Sequence, residues 1–496
     1  MKDLSAYQRP AFHFSTPKGW CNDPNGFSFY KGKIHLFYQH YPFDTKWGPM
    51  HWGHAVSKDL LHWKNLPVAL SPDTNYDDGG CFSGSAITVE SGKICKNQKK
   101  HLLIYTGVKK VGESASLQQQ CLALGNGKKY KKILENPVIT AKNLPFDFDI
   151  GNFRDPKIWK KNGIYYAICM LIKNDGLSCL VAFKSQDLKF WEFLNIVDSS
   201  KDDFGAMWEC PDFFTLDGKD VILISERNLK ADAELGFYDG DNNVYITGNL
   251  DSNFEFHREI RPENGSTAAL IDYGIDFYAQ QTTLLPDGRR ILIAWMQAWE
   301  SYITPENYKW SGMMTLPREI SFVENRLIQK PVREFEELKG KAIFGSISDR
   351  EFKLIDNESN RHFELIFDLP ANLSTESKIA EPPIVATGEI IITISASANE
   401  YVTLSIKIPE MTIRFNRKHT NHAGKIPART AKIPQLLPVY GDKIKYHIIA
   451  DTNSLEAYVN QGEFWFTNAY FLDSPISKIT VESTLGEKVN FSFYKL

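Results

Sequence analysis

The stretch Ser57-Lys58-Asp59-Leu60-Leu61-His62-Trp63 returns later in the chain as Ser185-Gln186-Asp187-Leu188-Lys189-Phe190-Trp191, the same polar turn closed by the same tryptophan peg. A looser third copy runs from Gly248-Asn249-Leu250-Asp251 into Phe254 and Phe256. Around these echoes lie short apolar or aromatic runs, each preceded by a glycine turn. Tyr30-Lys31-Gly32-Lys33 leads into Ile34 to Gln39, and Lys161-Asn162-Gly163 into Ile164 to Met170. Leu216-Asp217-Gly218 likewise leads into Val221 to Ser225, and Pro286-Asp287-Gly288 into Arg290 to Met296. Strand-length runs punctuated by tight turns read as antiparallel meanders. A four-strand meander repeated too irregularly for a solenoid predicts a β-propeller, in which each blade presents one inner strand to a central channel.

From Leu327 the pattern changes. Gln329 to Leu338 is charged, with apolar spacing suited to a short helix, and is read as a linker over 329–340 after a propeller over 1–328. Beyond it, over 341–496, alternating runs at His362 to Leu369, Glu389 to Ser395, Tyr401 to Ile408, Tyr446 to Ala450 and Val489 to Tyr494 predict long strands of a β-sandwich. His419 to Asp442 is expected to be an extended loop. No acids or histidines cluster in this half, so its expected role is structural support.

Composition narrows the function. The 496 residues, with 13% aromatics, 32 glycines and 24 prolines, favour an all-β chain large enough for a complete enzyme. A net charge of -3, with no basic block interleaved with aromatics, argues against a nucleic-acid partner. The N-terminus is polar and no run of about 18 apolar residues occurs, so no membrane partner is expected and the expected location is cytoplasmic. Seven cysteines without a CxxC pair match neither a disulfide framework nor a zinc site and are read as reduced core thiols.

Three carboxylates stand in a similar frame: Trp20-Cys21-Asn22-Asp23-Pro24-Asn25-Gly26, Asn152-Phe153-Arg154-Asp155-Pro156 and Trp208-Glu209-Cys210-Pro211-Asp212. Proline offers no N-H to a sheet, and Asn-Gly favours a tight turn, so each acid is expected at the end of an extended segment, facing a shared cavity. Cleavage of a glycosidic bond needs one carboxylate at the anomeric carbon and one carboxylic acid at the leaving oxygen. Judged by sequence neighbours, Asp23 would stay ionised, Glu209 beside Trp208 and Pro211 would have a raised pKa, and Asp155 beside Arg154 would stay charged.

These motifs resemble glycoside hydrolase family 32, the β-fructofuranosidases, which include invertases, sucrose-6-phosphate hydrolases, inulinases and levanases. Trp20 to Gly26 resembles the family's W-M-N-D-P-N-G with Cys21 for Met, Phe153 to Pro156 resembles F-R-D-P, and Trp208 to Asp212 resembles W-E-C-P-D. The likeness continues through Trp52 to Ser57, Phe82 to Ser85, Asp272 to Ala279, Ile293 to Met296 and Thr315 to Glu319. It extends near the end through Asp451, Ser454, Glu456, Tyr458, Asn460 and Gly462. It implies a five-bladed β-propeller followed by a C-terminal β-sandwich and a retaining hydrolysis of terminal fructosyl residues from sucrose and short fructo-oligosaccharides. Asp23 would be the nucleophile, Glu209 the general acid/base and Asp155 the transition-state stabiliser. Trp20, Asn22, Gln39, Trp47, Phe82, Ser83, Arg154 and Trp295 fall where the family contacts sugar. No metal and no cofactor are implied.

Alternatives within this class are sucrose-6-phosphate hydrolysis, which would need basic rim residues such as Lys46 or Lys309, exo-inulinase action and fructosyl transfer. From another class, the chain would be an inactive fructan-binding protein. His51, His54 and His62 are interleaved with tryptophans and read as packing rather than metal ligands. Sequons at Asn264, Asn357, Asn372 and Asn490 matter only in a secreted chain. Lys109 to Gln120 and Trp299 to Trp310 are expected as loops at the propeller mouth. Oligomeric state is not legible.

Overall fold

The structure is a computed structural model that describes residues 9–90, 99–112, 115–201, 205–233, 236–261, 264–324, 326–348, 352–355, 361–370, 388–408, 410–434 and 443–496. Cys95 and the sequons at Asn357 and Asn372 lie outside the described residues. Five antiparallel sheets follow one another along the chain. Blade 1 comprises Gly19–Tyr30, Lys33–Tyr41, His51–Ser57 and Trp63–Leu70; blade 2, Gly80–Val89, Lys100–Val111, Ala115–Gly125 and Tyr130–Lys132. Blade 3 comprises Phe148–Lys161, Ile164–Lys173, Ser178–Ser185 and Glu192–Ser199; blade 4, Met207–Leu216, Lys219–Leu229, Gly240–Leu250 and Phe256–Arg258. Blade 5 is Tyr278–Leu284, Arg290–Trp295, Arg318–Val323 and Arg326–Pro331. The first strand of each blade packs against the first strand of the next, and that of blade 5 returns to Gly19–Tyr30, so the ring is closed. Trp310–Ser311 pairs in parallel with Gly19 and Trp20, fastening the last segment of the propeller to its first strand.

The repeated turn joins the third and fourth strands of blades 1, 3 and 4. Ser57 Oγ accepts from the backbone N-H of Asp59 and Leu60, while the Asp59 carboxylate accepts from Leu61 and His62. Ser185 and Asp187 repeat this pattern with Asp187, Leu188, Lys189 and Phe190. Leu60 and Leu188 both sit at φ 69°, in a left-handed conformation that the clasp of side-chain acceptors holds in place. In the looser copy Asp251 accepts from Asn253 and Glu255, and Phe254 takes φ 62°.

Two six-stranded sheets form the C-terminal β-sandwich. Phe363–Pro370, Gly388–Ser395, Tyr401–Ile408, Lys443–Asp451 and Val489–Lys495 match the five expected strands within a few residues. Their alternating inward positions, such as Phe363, Leu365 and Phe367 against Ile390, Ile392 and Ile394, make the core. Three expectations are corrected. The last propeller strand runs to Pro331, past the expected boundary at 328, because Gln329, Lys330 and Pro331 pair with Ile320, Glu319 and Arg318. The linker helix is a single 3-10 segment, Arg333–Leu338, which buries only Phe335. Within the expected loop after His419, Ala428–Lys432 adds an edge strand to Thr412–His419.

The two domains are joined through buried charge. His13 sits between Asp451, at 2.8 Å, and Glu456, at 2.7 Å. Arg318 of blade 5 donates to Glu456 at 3.0 Å and to Thr467 Oγ1 at 2.6 Å.

Candidate active site

The three acid-proline motifs do not end their strands; they bulge within them. In blade 1, Cys21 faces His40 and Pro24 faces Tyr38, so Asn22 and Asp23 share the single partner Gln39. In blade 3, Asp155 and Pro156 oppose Cys169; in blade 4, Cys210 and Pro211 oppose Ile224. Blades 2 and 5 do the same without proline: Ser83 is an extra residue between paired Phe82 and Gly84, and Ala279 and Gln280 oppose Ala294. Every inner strand thus carries one extra residue near the same end of the channel. A bulge twists its strand and re-aims the side chain beside it, here toward a common centre. Asp155, Cys210 and Ala279 take φ of 60°, 49° and 55°, a conformation that costs a non-glycine residue about 1–2 kcal/mol. Side-chain hydroxyls accept from the backbone of two of them: Asp155 N-H donates to Thr106 Oγ1 and Ala279 N-H to Ser225 Oγ.

The bulges enclose a cavity of about 400 Å³ lined by Asn22, Asp23, Gln39, Trp47, Phe82, Ser83, Arg154, Asp155 and Glu209, and also by Gln118, Asn152, Met207, Cys210, Arg227 and Trp299. Asp23 accepts from Asn22 Nδ2 at 3.0 Å and from Ser83 Oγ at 2.5 Å, with Cys210 Sγ 3.5 Å away. Trp20 Nε1 donates to Asn22 Oδ1 at 2.6 Å, which leaves the Asn22 amide able only to donate toward Asp23. Arg154 Nη2 donates to Glu209 Oε1 at 2.9 Å, Nη1 to Asn152 Oδ1 at 2.7 Å, and Nε stands 3.9 Å from Asp155. Tyr278 Oη donates to the other oxygen of Glu209 at 2.6 Å. The Cys210 N-H donates to Asp155 Oδ2 at 2.9 Å, tying the second acid to the backbone of the third.

The protonation pattern reverses what sequence neighbours predict. Burial, helped by the charge of Glu209, raises the pKa of Asp23 against the opposing bonds from Ser83 and Asn22. Burial also pushes Asp155 up to about 7, because Arg154 offsets too little of it and the other two acids add to it. Glu209 is lowered: its burial is outweighed by the charge of Arg154, the Tyr278 hydroxyl and the charge of Arg227. The cause is side-chain direction. Arg154, buried like Asp155, points across to blade 4 and bonds Glu209 while standing 3.9 Å from Asp155, and Trp208, expected to desolvate Glu209, lies in the core with Arg258 over its ring.

Two aromatic assignments are corrected. Trp20 and Trp295 are 1% and 0% exposed and do not line the cavity. They back Trp299, which does: Trp20 stacks on it at 6.2 Å and Trp295 meets it edge-on at 5.2 Å. Trp299 begins the irregular segment 299–310 that sequence placed at the mouth. The other expected mouth loop is the hairpin of Lys100–Val111 and Ala115–Gly125, paired out to Val111 and Ala115. Lys46 and Lys309 are exposed and outside the cavity lining; its cations are Arg154 and Arg227. Arg227 lay in no motif and had no sequence signal, whereas Tyr278 lay inside a matched stretch without a role. His54 stacks on Phe37 at 4.2 Å and His62 pairs with Asp59 on the surface.

The profile of the glycosyl hydrolases family 32 N-terminal domain matches residues 13–331, and that of the family 32 C-terminal domain matches 345–495. A sucrose-6-phosphate hydrolase of Zymomonas mobilis is 34% identical over 99% of this chain and 92% of its own. A raffinose invertase of Escherichia coli is 36% identical over 67% of this chain and 66% of its own. Among solved structures, a Bombyx mori β-fructofuranosidase mutant in complex with sucrose superposes with a TM-score of 0.81 at 30% identity, covering 100% of this chain and 96% of the other. With both domains matched in order over nearly all its length, the chain belongs to glycoside hydrolase family 32.

Proposed function

We propose that the chain is a retaining β-fructofuranosidase that releases terminal fructose from sucrose and short fructo-oligosaccharides. The observation that carries this reading is the convergence of Asp23, Asp155 and Glu209 from three blades on one cavity, each held by its own hydrogen-bond partners. In the first step an Asp23 oxygen attacks the anomeric carbon of the fructosyl unit as its bond to the bridging oxygen breaks. Glu209 passes its proton to that oxygen, and the departing sugar leaves a fructosyl ester on Asp23. In the second step Glu209, now a carboxylate, takes a proton from water. The water oxygen attacks the same carbon, fructose departs with its configuration retained, and both acids are restored. Asp155 and Arg154 are placed to hold fructosyl hydroxyls beside the developing positive charge. In the free site Arg154 keeps Glu209 ionised. Substrate that excludes water and draws on Arg154 strengthens the desolvation that favours the protonated acid.

A second reading, preference for sucrose 6-phosphate, is favoured by the name of the 34% identical relative and by the position of Arg227 in the cavity lining. The test is release of glucose, or glucose 6-phosphate, and fructose from sucrose, sucrose 6-phosphate, a short fructo-oligosaccharide and inulin, by wild type and Glu209→Gln. The expected result is efficient cleavage of sucrose and the short oligosaccharide, with Glu209→Gln slower by about a hundredfold or more, the usual cost of a lost general acid. A strong preference for the phosphorylated sugar moves the assignment to the second reading. No hydrolysis of any substrate by folded protein leaves a fructan-binding protein.

A further inference from the structure

The inner strands run in one direction, with the catalytic bulges early in each. Phe27, Ile87, Lys157, Phe214 and Thr283, later in the same five strands, line a second cavity of about 760 Å³ at the opposite end of the channel. The channel between them is filled: Gln281 accepts from the Phe27 N-H at 2.7 Å and donates to Gly84 O at 3.0 Å. Two cations from different blades face this lower cavity. Lys157 Nζ pairs with Asp212 at 2.7 Å and donates to Thr282 O at 3.2 Å. Arg290 donates to Thr282 Oγ1 at 3.0 Å, and its guanidinium lies 4.2 Å over the Phe214 ring. Its buried Nε has no acceptor among the described residues.

Asp212 pairs with Lys157, and no carboxylate among the described residues pairs with Arg290. Burial lowers the pKa of both, with Asp212 opposing, and Arg290 lowers Lys157 further, as expected where positive charge is in excess. Lys160 and Lys161 add charge at the rim. The lining carboxylates are already engaged: Asp220 accepts from Thr215 Oγ1 and the Leu250 N-H, and Asp251 from the N-H of Asn253 and Glu255. Along one wall runs a half-buried aromatic column, Trp159 on Tyr166 at 5.6 Å and Tyr166 on Phe254 at 5.2 Å.

We propose that this lower mouth is a second ligand site, which takes a phosphate group, free or carried on a sugar, with Arg290 and Lys157 on the phosphate and the Trp159, Tyr166 and Phe254 wall against a sugar ring. A guanidinium with an open N-H matches phosphate oxygens in geometry as well as charge, and the apolar edge of a stacked aromatic column suits the C-H groups of a sugar. The site is separate from the catalytic cavity and does not depend on which glycoside is cleaved.

Calorimetry and thermal unfolding with inorganic phosphate, glucose 6-phosphate and glucose, at fixed ionic strength, test it. Phosphate and glucose 6-phosphate are expected to bind and to raise the unfolding temperature, and glucose to do neither. Arg290→Gln and Lys157→Met should each weaken phosphate binding at least tenfold while sucrose hydrolysis stays at the wild-type rate, which also shows that the variants fold. Tighter binding of glucose 6-phosphate than phosphate, reduced to parity by Trp159→Ala, identifies a sugar phosphate as the ligand. Equal binding unmoved by Trp159→Ala identifies free phosphate. Should both cation variants fail to fold, Trp159→Ala still separates the two ligands. Absence of phosphate binding to wild type, or binding that Arg290→Gln leaves unchanged, overturns the proposal. Phosphate held by Arg154 and Arg227 instead would appear as competitive inhibition of hydrolysis that Arg290→Gln does not alter.

Discussion

At the residue scale, the site is an arrangement of three acids whose proton affinities are set by groups distant in sequence. Ser83 lowers the proton affinity of Asp23, and Tyr278 lowers that of Glu209. In the proposed mechanism activity needs Asp23 ionised and Glu209 protonated, so the two limbs of kcat/KM depend on these two acids. Removing a hydroxyl that favours the charged form raises the pKa of its acid. Ser83→Ala and Tyr278→Phe are each therefore expected to move one limb to higher pH in pH profiles of kcat/KM. Because the three acids interact, the limbs report the coupled site, and the direction of each displacement is the observable. Profiles that do not move in either variant would remove both hydroxyls from the account.

At the element scale, the inner strands work because each contains an irregularity that a regular strand would reject. Ala279 is buried at φ 55° with its N-H on Ser225 Oγ. A β-branched side chain tolerates that conformation poorly, so Ala279→Val is expected to destabilise the protein by about 2 kcal/mol or more, seen as a lower unfolding temperature. Gly312 is a second such point. It sits at φ 90°, and a Cβ there would lie 1.8 Å from Cys21 O, backbone two residues before Asp23. Gly312→Ala should therefore displace the strand carrying Asp23 and lower both the unfolding temperature and kcat. A variant with wild-type kcat would show that blade 1 absorbs the shift without moving Asp23.

At the scale of the whole molecule, the propeller and sandwich are coupled through His13. Although burial opposes it, bonding to Asp451 and Glu456 raises its pKa to about 9, and the same contacts help lower both carboxylates. A raised histidine contributes stability in full below its unfolded pKa of about 6.5 and loses it as pH rises through its folded value. The lowered carboxylates contribute above about pH 4 and lose their share in acid. Unfolding temperature is thus expected to be highest between about pH 4 and 6.5 and to fall toward pH 9. His13→Gln should flatten the alkaline decline and cost about 3–5 kcal/mol at pH 6, because two buried carboxylates lose their counter-charge. An unfolding temperature at pH 6 equal to that of wild type would mean that Arg318 and apolar contacts hold the domains without His13.

The sequence by itself determined the all-β class, the repeated third-turn clasp, the long sandwich strands and the three framed acids that meet at one cavity. Each of these is written in contiguous residues: alternation, Gly-Asp turns and acid-proline pairs act through local backbone preferences. The tertiary structure alone decided that the three acid-proline motifs are bulges aligned with bulges in the other two inner strands, that Arg154 serves Glu209 across a blade boundary, and that Trp299 rather than Trp20 or Trp295 faces the cavity. It also decided the order of proton affinities, which depends on burial and on charges that meet only when the ring closes. Desolvation and Coulomb interaction act through space between residues far apart in the chain, and no window of sequence contains them.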